Sequence, residues 1–410
     1  MIKDLVSKLP EIYQTIYNHP EYKTSRNCDH RLNYITDIIK AYQAKIGKTN
    51  LKVLDIGCAQ GYYSLHLAAM GCRVTGVDFN RANINLCKGL ADETGLSVKF
   101  ICDEVGTAFI YEKYDIILGL SVFHHVALKS FNHAKSVFKI ACSIAEIVIS
   151  EMAVKQEGLY WAENLPEDYA DWFKEQKFYK EIAFTNTHLG SVKRPFVVSS
   201  NKWFICQNRL YEIDEAFNKS YAGGIELPYK NLYYCGDYLC KIAHKSKLNI
   251  GHSEYMYNEV VNEAKILSGG DISFLPKLDC SEITDNYAMT VQKIDRGILL
   301  CDLLKQRIKV GDIVLYDVLD NLIELESKGL YHSDIRAWNI VIKDKAFLID
   351  AGAIRHENKD CNGENTYMSF YRLLDYFLSQ FALTDYITKY TASKDKTFKA
   401  IKRILKECLK

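Results

Sequence analysis

Three polar residues near the carboxyl end have the types and the spacing of a kinase catalytic loop. Asp334 and Asn339 stand at the kinase spacing within the stretch His332–Asn339, and Asp350 follows a short apolar run. In kinases the first of these positions accepts the proton of the attacking hydroxyl, the second holds magnesium, and the third binds the metal that bridges the β- and γ-phosphates. We therefore predict Asp334 as a catalytic residue, with Asn339 and Asp350 as Mg²⁺ ligands. The alternatives are a loop whose side chains only cap their own backbone, or an inactive pseudokinase.

A lysine and a glutamate upstream extend this set. The apolar stretch Tyr238–Ile242 predicts a strand carrying Lys241, which would neutralise the α- and β-phosphates of ATP. Residues 257–267 form an amphipathic pattern, and we pair its Glu263 with Lys241, keeping Glu259 in reserve. The alternative for Lys241 is a solvated lysine on a strand.

The rest of the ATP site is less clearly marked. Only residues 221–224 and 235–237 offer a glycine-containing phosphate loop. The stretch Tyr287–Ile294 predicts the strand leading into a hinge, whose backbone at Gln292, Lys293 and Ile294 would meet adenine. A long helix beginning at Asp312 and ending at Gly329 would deliver the catalytic loop.

A second nucleoside site is predicted in the first half of the chain. Residues 52–61 are an apolar strand running into a turn with Gly57 and Gly61, which let the backbone approach a ligand closely. The next strand ends in Asp78, where an acidic side chain can take both ribose hydroxyls. A third strand ends in Asp103, a partner for an adenine amine, and a fourth ends near Leu120. We expect a nucleoside-containing cofactor at this edge of a parallel sheet.

The form of the turn resembles motif I of class I S-adenosylmethionine methyltransferases, with Ala59 in place of the usual middle glycine. Residues 1–45 look helical, and Tyr13 and Arg31 are candidates for a lid over the cofactor, the alternative being plain packing and a solvated arginine. The predicted S-adenosylmethionine contacts are Tyr13, Gln14, Arg31, Gly57, Gly61, Asp78, Asp103 and Leu120.

Histidines and an aromatic insertion follow the later strands of this sheet. His124 and His125 come after the fourth strand, where they would bind an anionic acceptor or act as a base, or else only cap and pack a helix. Residues 195–206 predict the closing antiparallel hairpin. Insertions after the later strands shape the acceptor site. The predicted acceptor pocket contains His124, His125, Trp161, Glu163, His188 and Arg194.

Composition excludes several protein classes. The 52 Lys and Arg residues nearly balance 51 Asp and Glu, which disfavours a nucleic-acid substrate. The 13 cysteines are scattered without a Cys-x-x-Cys pair, so they indicate neither a zinc ribbon nor a disulfide scaffold. No signal peptide or membrane-spanning run is visible, and we expect a cytoplasmic protein. A basic amphipathic helix over 397–410 would dock on the protein, lie on an anionic membrane or bind a partner.

The expected fold class is α/β: a Rossmann-like class I methyltransferase domain over 1–208, then a two-lobed α+β kinase-like domain over 209–396. Together with these sites, the minor motifs at 9–15, 119–125, 159–161 and 187–189 resemble the bifunctional methyltransferase/kinase family of the WbdD type. The resemblance implies a terminator of lipopolysaccharide O-antigen polymannose chains. It implies that the enzyme phosphorylates the non-reducing terminal mannose with ATP and Mg²⁺ and then methylates that phosphate with S-adenosylmethionine.

The resemblance also implies partners and a location. The acceptor would be a mannose-terminated glycan on a lipid carrier, and a mannosyltransferase polymerase would be a partner at the inner face of the inner membrane. Family members carry a long carboxyl-terminal coil for that recruitment, and the printed sequence ends before one.

Three other functions stay open at this point. In the first, the methyltransferase caps a glycan directly and the kinase-like domain is a regulatory or binding module. The others are a scaffold for a glycosyltransferase and a methyltransferase fused to an aminoglycoside-type kinase.

Overall fold

The structure is a computed structural model, and it describes residues 2–104, 112–187, 189–219, 226–246 and 249–409. The chain divides into two compact units, Met1–Ile213 and Asp214–Lys410. The boundary expected after residue 208 therefore lies inside the last strand pair of the first unit, and residues 397–410 fall within the second unit.

A seven-stranded sheet forms the centre of the first unit, in the order β3-β2-β1-β4-β5-β7-β6. Strands β1 to β5 pair in parallel, and β7 joins them antiparallel. The strand order reverses between β1 and β4, and ligands of such sheets bind at the carboxyl edge beside that reversal. The strands are β1 (Lys52–Ile56), β2 (Arg73–Asp78), β3 (Val98–Cys102), β4 (Tyr114–Leu120), β5 (Ala145–Glu151), β6 (Phe178–Thr185), β7 (Arg194–Ser200), β8 (Trp203–Cys206) and β9 (Arg209–Glu212).

Helices cover both faces of this sheet, as expected for a sheet whose strands are apolar throughout. One core cluster joins Leu54 and Ile117 on the strands to Phe138 and Trp172, all of them buried. The helices are α1 (Ile2–Val6), α2 (Asp29–Ile46), α3 (Tyr62–Ala69), α4 (Arg81–Thr94), α5 (Phe123–Ala127) and α6 (Phe131–Ile144).

The amino-terminal segment corrects one expectation. Residues 1–45 are not one helical region, because α1 ends at Val6 and α2 begins only at Asp29. Pro10 and Pro20 lie between them, and proline lacks the N–H that a helix interior needs. The apolar residue Ile16 is nevertheless buried in a cluster with residues of α4. The helical spacing of apolar residues in this segment therefore reflects their burial against the protein and not a helix.

The closing hairpin was also predicted with the wrong partner. The strand β7 pairs with β6, which the sequence pattern did not reveal, and with β5. The expected partner, β8, instead pairs with β9 in a separate two-stranded sheet. A turn at Ser200 separates the two sheets, where the Ser200 hydroxyl accepts hydrogen bonds from the N–H groups of Lys202 and Trp203.

The second unit combines a five-stranded antiparallel sheet, ordered β10-β11-β12-β14-β13, with a mainly helical part. Helix α7 packs against that sheet through buried Met256 and Val260. Smaller two- and three-stranded sheets carry the loop around Asp334. The strands are β10 (Glu215–Phe217), β11 (Lys230–Cys235), β12 (Tyr238–His244), β13 (Lys277–Ile283), β14 (Tyr287–Lys293), β15 (Ile298–Leu299), β16 (Tyr331–His332), β17 (Ile340–Ile342), β18 (Ala346–Leu348) and β19 (Ile354–Arg355). The helices are α7 (Ile250–Ser268), α8 (Leu300–Lys305), α9 (Ile313–Ser327), α10 (Thr366–Leu374), α11 (Gln380–Ala392) and α12 (Phe398–Cys408).

Helix α12 packs its apolar stripe into the core of the second unit. Phe398, Ile401, Ile404 and Leu405 are buried in the same cluster as Leu319 of α9. This stripe is therefore occupied by the protein itself, which matches the docking alternative for the basic amphipathic helix. None of the helices within the described residues is both long and apolar enough to cross a bilayer.

Candidate active sites

The turn after β1 is fixed tightly against the neighbouring strand. The N–H groups of Gly57 and Cys58 both donate to the Val77 carbonyl, at 2.8 and 3.0 Å. Gly57 has a φ of +69°, and a Cβ there would lie 3.0 Å from Cγ2 of Val122. Gly61 has a φ of +78°, and its Cβ would lie 2.8 Å from Sγ of Cys87. Both positions therefore require glycine, for conformation and for space.

Asp78 lies at the carboxyl end of β2 and joins this turn to the next helix. Its Oδ2 accepts the Ala59 N–H at 2.9 Å, and its Oδ1 accepts the Asn80 N–H at 2.8 Å. The Asn83 amide also donates to Oδ1, at 3.2 Å. The carboxylate is therefore buried and held in one orientation at the position predicted for a ribose. Asp103 follows β3 nearby, and its N–H donates to the Asp78 carbonyl at 3.1 Å.

The irregular amino-terminal segment contacts the same turn. The Gln14 N–H donates to Oε1 of Gln60 at 2.8 Å, and Oε1 of Gln14 accepts the Tyr62 N–H at 3.2 Å. Gln14 is buried, and the neighbouring Tyr13 is half-buried. The structure thus places Gln14 directly against the glycine turn, although the segment is not the helix that the spacing suggested.

A buried carboxyl group lies beneath the turn. Asp55 on β1 accepts a 2.7 Å hydrogen bond from the Ser64 hydroxyl. Burial raises the pKa of Asp55 to about 6, and the nearby Asp78 acts in the same direction while the Ser64 hydrogen bond opposes it. The hydrogen bond between Asp55 and Ser64 thus links β1 to α3 inside the protein.

Glu151, at the carboxyl end of β5, is the centre of a charged network that sequence reasoning missed. It is fully buried and accepts from Arg26 at 2.7 Å and from Arg31 at 3.4 Å. The hydroxyls of Ser121 and Thr185 also donate to it. Burial disfavours its charged form, but Arg31 and Arg26 together lower its pKa. Arg31, predicted as a cofactor contact, therefore forms an ion pair with Glu151. Burial alone would lower the Arg31 pKa, but the Glu151 carboxylate outweighs burial and raises it.

Arg26 is the residue of this network that no motif marked. Its Nη1 donates to the Tyr13 hydroxyl at 2.5 Å and to the Ser121 hydroxyl at 2.9 Å. Its Nη2 donates to Glu151 and to the Asn186 carbonyl, at 2.7 and 3.3 Å. The only signal in the sequence was a second arginine close to Arg31, since the contacts of Arg26 join distant parts of the chain.

Arg194 forms a second ion pair beside the first. Its Nε and Nη2 each donate to one carboxylate oxygen of Glu157 at 2.7 Å, and its Nη1 donates to Ser121 at 3.1 Å. The guanidinium also lies 5.6 Å from the centre of the Trp161 ring, and the Trp161 N–H donates to Glu157. Glu157, rather than the expected Glu163, is thus the carboxylate at this site. Glu163 is exposed.

The two predicted histidines lie next to this pair on α5. The ring centroids of His124 and His125 are 4.1 Å apart, and that of His124 is 4.8 Å from Trp161. Burial lowers the pKa of His124, and packing against His124 and Trp161 removes enough of the His125 ring from water to lower its pKa too, with Arg194 adding to both effects. His124 is buried, whereas His125 is exposed. Leu120 ends β4 half-buried, paired in register with Glu151. His188 lies outside the described residues.

In the second unit, Lys241 on β12 lies between two carboxylates. Its Nζ is 2.6 Å from Oε1 of Glu263 on α7 and 3.3 Å from Oδ1 of Asp350. The Thr290 hydroxyl donates to the other oxygen of Glu263 at 2.7 Å. Burial opposes the charge on Lys241, but Glu263 and then Asp350 raise its pKa. The structure therefore brings together the pair selected from the sequence, while the reserve Glu259 pairs with Lys230 at 3.0 Å.

The loop around Asp334 is fixed by its own side chains. Asn339 donates to Oδ2 of Asp334 at 2.7 Å, and the Trp338 indole donates to the same oxygen at 3.1 Å. His332 is buried between two backbone groups: its Nε2 lies 2.8 Å from the Ile349 carbonyl, and its Nδ1 lies 3.2 Å from the Asp334 N–H. Burial lowers the His332 pKa, which favours the neutral ring that can donate to one group and accept from the other.

Asp350 has a φ of +69°, which is uncommon for a residue other than glycine. Burial disfavours its charge, but Lys241 and more distant Lys230 lower its pKa. No group of three or more His, Cys, Asp and Glu side chains among the described residues could hold a metal. Asn339 and Asp350 nevertheless fit Mg²⁺, because that ion typically takes one or two protein ligands with phosphates and water. The Asn339 amide nitrogen is used by Asp334, which leaves its oxygen as the ligand atom.

Part of the backbone predicted to contact adenine is hydrogen-bonded within the protein. The Ile294 N–H donates to the Asp237 carbonyl at 2.7 Å, so this hinge group is not available to a ligand in this structure. Gln292 is buried with no partner for its Nε2 in the described part of the chain, and Lys293 is exposed. Residues 235–237 form a tight turn, in which the Gly236 N–H donates to Oδ2 of Asp214 at 2.7 Å. That glycine is therefore structural, and the other candidate loop, 221–224, lies outside the described residues.

Comparison with known proteins agrees with this division into two sites. A family model described as a methyltransferase domain matches residues 47–216. The O-antigen chain terminator bifunctional methyltransferase/kinase WbdD of Escherichia coli is 34% identical over 383 residues, covering 88% of this chain and 54% of that protein. The chain thus spans about half the length of the curated relatives it matches. The ubiquinone biosynthesis O-methyltransferase of Rickettsia bellii is 22% identical over 196 residues and covers 43% of this chain.

Solved structures of WbdD match the chain throughout. A co-crystal of WbdD with a kinase inhibitor has a TM-score of 0.87 and 28% identity, covering 100% of this chain and 95% of that one. Monomeric WbdD also has a TM-score of 0.87, with 29% identity over 99% of this chain and 100% of that one. Together the sequence match and the structural match show that the chain has the fold of WbdD, with a class I methyltransferase unit followed by a kinase-like unit.

Proposed function

We propose that this chain is a bifunctional transferase that terminates a mannose-ended glycan. It would phosphorylate the non-reducing terminal mannose with ATP and Mg²⁺, and it would then methylate the new phosphate with S-adenosylmethionine. The observation that carries the proposal is the pairing, in one chain, of two sites: the Lys241, Glu263 and Asp350 group in one unit, and an arginine-rich methyltransferase cleft in the other.

In the phosphorylation step, Asp334 would accept the proton of the sugar hydroxyl. Its carboxylate is already oriented by Asn339 and Trp338, so little reorganisation is needed when the acceptor binds. Lys241 would neutralise the phosphates of ATP, held in place by Glu263. Asn339 and Asp350 would hold Mg²⁺, which supplies charge stabilisation at the transferred phosphoryl group.

In the methylation step, the acceptor oxygen already carries negative charge near neutral pH. Transfer of a methyl group to it therefore depends on orientation and needs no strong base. We assign this orienting role to Arg194 with His124, His125, Trp161 and His188, and cofactor binding to residues around the glycine turn. The cofactor residues are Tyr13, Gln14, Gly57, Gly61, Asp78, Asp103 and Leu120, with Arg31 supporting them through Glu151.

The proposal extends to the ATP site, the partner and the location. Gln292, Lys293 and Ile294 would border adenine, with the Ile294 N–H released from Asp237 if it is to contribute. The glycan would be carried on a lipid, with a mannosyltransferase polymerase as partner at the inner face of the inner membrane.

Mass spectrometry of a synthetic oligomannoside tests the proposal. The protein is incubated with ATP, Mg²⁺ and S-adenosylmethionine, added singly and together. We expect a phosphate gain that requires only ATP and Mg²⁺, and a methyl gain that requires all three. A methyl gain with S-adenosylmethionine alone would favour direct capping, with the kinase-like unit in a regulatory role.

A further inference from the structure

Two arginine side chains converge on one hydroxyl group in the methyltransferase unit. The Nη1 atoms of Arg26 and Arg194 donate to Oγ of Ser121 at 2.9 and 3.1 Å. Glu151 and Glu157 each offset one guanidinium charge, and a further anion bound between the arginines would offset the positive charge that remains in the cluster. Guanidinium groups also match phosphate oxygens in geometry. The arrangement therefore has the chemistry of a phosphate site.

The position of the cluster fits the chemistry that the unit would perform. Ser121 follows β4 directly, and Glu151 ends the adjacent β5, so both lie at the carboxyl edge of the sheet where ligands bind. Ser121 has a φ of +56°, a conformation that non-glycine residues adopt mainly where their surroundings require it. It is half-buried, whereas both arginines are about 4% exposed or less.

Two buried polar atoms at this place have no partner within the described residues. They are Nε of Arg26 and Nδ1 of His124, whose side chains are 4% and 3% exposed. Buried polar atoms without partners are rare in folded proteins and require an explanation, such as a ligand that binds there. The cluster of Arg26, Arg31 and Arg194 with Glu151 and Glu157 also has one positive charge in excess.

We propose that Arg26, Arg194 and Ser121 form the binding site for the phosphate of a phosphomonoester acceptor. Glu151 and Glu157 hold the two guanidinium groups in position through their own hydrogen bonds. An unphosphorylated sugar brings no anion to offset the remaining positive charge of the cluster, so this site makes the methyltransferase act on phosphate rather than on hydroxyl groups. The inference rests on the proposed function and names the residues that give it its substrate specificity.

The test uses the full chain, inorganic phosphate as a probe, and synthetic oligomannosides with a phosphate on each hydroxyl of the terminal mannose in turn. Arg26→Gln and Arg194→Gln each remove one charged donor, Arg26→Lys keeps the charge, and Arg73→Gln replaces an exposed arginine of the same unit as a control. We expect each glutamine variant to raise the KM for the phosphorylated acceptor and the inhibition constant of inorganic phosphate by about 10- to 100-fold. The affinity for S-adenosylmethionine stays within about two-fold in Arg194→Gln, whose ion pair is with Glu157. Arg26→Lys loses less phosphate binding than Arg26→Gln.

Arg26→Gln alone leaves Glu151 with less compensating charge, which could disturb folding. The double variant Arg26→Gln with Glu151→Gln restores the local charge balance, and we expect it still to bind phosphate weakly. Full recovery of phosphate binding in the double variant, or an unchanged inhibition constant in both glutamine single variants, would overturn the proposal. A further outcome separates the two proposals. If the wild-type chain methylates none of the phosphorylated glycans, but inorganic phosphate binds to it and binds less well to the variants, the proposed function fails while this anion site stands.

Discussion

Replacing Glu263 with glutamine is the sharpest single perturbation of the kinase-like unit. Glutamine keeps the shape of the side chain and can still accept from Lys241 and the Thr290 hydroxyl. It removes only the negative charge that lies 2.6 Å from Nζ of Lys241. The variant therefore isolates the electrostatic part of the pair.

The structure sets the size of the expected effect. Removing one partner of a buried ion pair costs roughly 3–5 kcal/mol when the other charge is left alone. Lys241 is not left alone, because Asp350 lies 3.3 Å away and glutamine still accepts a hydrogen bond. We therefore expect a loss of about 1.5–3 kcal/mol, the usual value of a hydrogen bond to a charged group. For a unit of this size that corresponds to a fall in Tm of about 2–4 °C per kcal/mol.

The effect on activity follows from the same contacts. Without the Glu263 charge, Lys241 interacts more strongly with Asp350, and this competes with both ATP phosphates and Mg²⁺. We expect phosphoryl transfer to fall about 10- to 100-fold with a raised KM for ATP. Methyl transfer to a glycan that already carries phosphate stays at the wild-type rate, because the methyltransferase unit is not altered.

The matched control is Glu259→Gln, one turn earlier on α7. Glu259 pairs with Lys230 at 3.0 Å, and the side chains of this pair are 18% and 10% exposed, against 1% and 6% for Glu263 and Lys241. Because this pair is more exposed and glutamine can still accept from Lys230, we expect a smaller stability loss than for Glu263→Gln and near-normal kinase activity. Calorimetry with and without a non-hydrolysable ATP analogue identifies the transition of the second unit. Loss of phosphoryl transfer in Glu259→Gln with normal activity in Glu263→Gln would refute the reasoning.

Three further predictions concern other parts of the chain. Asp78→Ala should weaken S-adenosylmethionine binding about 10- to 100-fold by calorimetry, because it removes the acceptor that fixes Ala59 and Asn80, whereas the exposed Asp92→Ala should not. The Asp55 pKa, raised by burial to about 6 from 3.8, makes the folded state hold a proton that the unfolded state releases, so its contribution to stability falls as pH rises from about 4 to 6. Asp55→Asn should remove that fall, by about 3 kcal/mol in a comparison of denaturation curves across this pH range. Leu405→Ala should destabilise the second unit by about 2–5 kcal/mol in denaturant, since this side chain is fully buried, and a loss under 0.5 kcal/mol would contradict the docking of α12.

The local elements around both sites could be predicted because their signals are contiguous in the sequence. The parallel strands β1 to β4 could be predicted because they are largely apolar stretches. β1 runs into a glycine turn, and β2, β3 and β4 end at or just before a polar residue at the sheet edge, namely Asp78, Asp103 and Ser121. Glu263 was chosen over Glu259 because residues 264–267, Ala-Lys-Ile-Leu, resemble those that follow the paired glutamate in kinases, and the structure pairs Glu263 with Lys241. Spacing alone placed Asp334 beside Asn339, which the structure shows in contact.

The arginine network could not be predicted, because its contacts join residues that are distant in sequence. Arg26 lies in an irregular segment and reaches Ser121 and Glu151, so no periodicity marks it. Glu163, beside the aromatic motif, was the carboxylate predicted for the acceptor pocket, but the structure pairs Arg194 with Glu157, in the segment after β5. The strand β6 was missed for a similar reason, since its pairing with β7 depends on how the insertion folds back.

The dependence of methylation on prior phosphorylation tests the central claim most directly. The Asp334→Asn variant is given an oligomannoside, ATP, Mg²⁺ and labelled S-adenosylmethionine, and in a parallel reaction the same glycan already carrying a terminal phosphate. Our account predicts that phosphoryl transfer falls by about 10²–10⁴-fold, that the plain glycan gains no methyl group, and that the phosphorylated glycan is methylated at the wild-type rate. Methylation of the plain glycan by this variant, or by the wild-type chain without ATP, would contradict it.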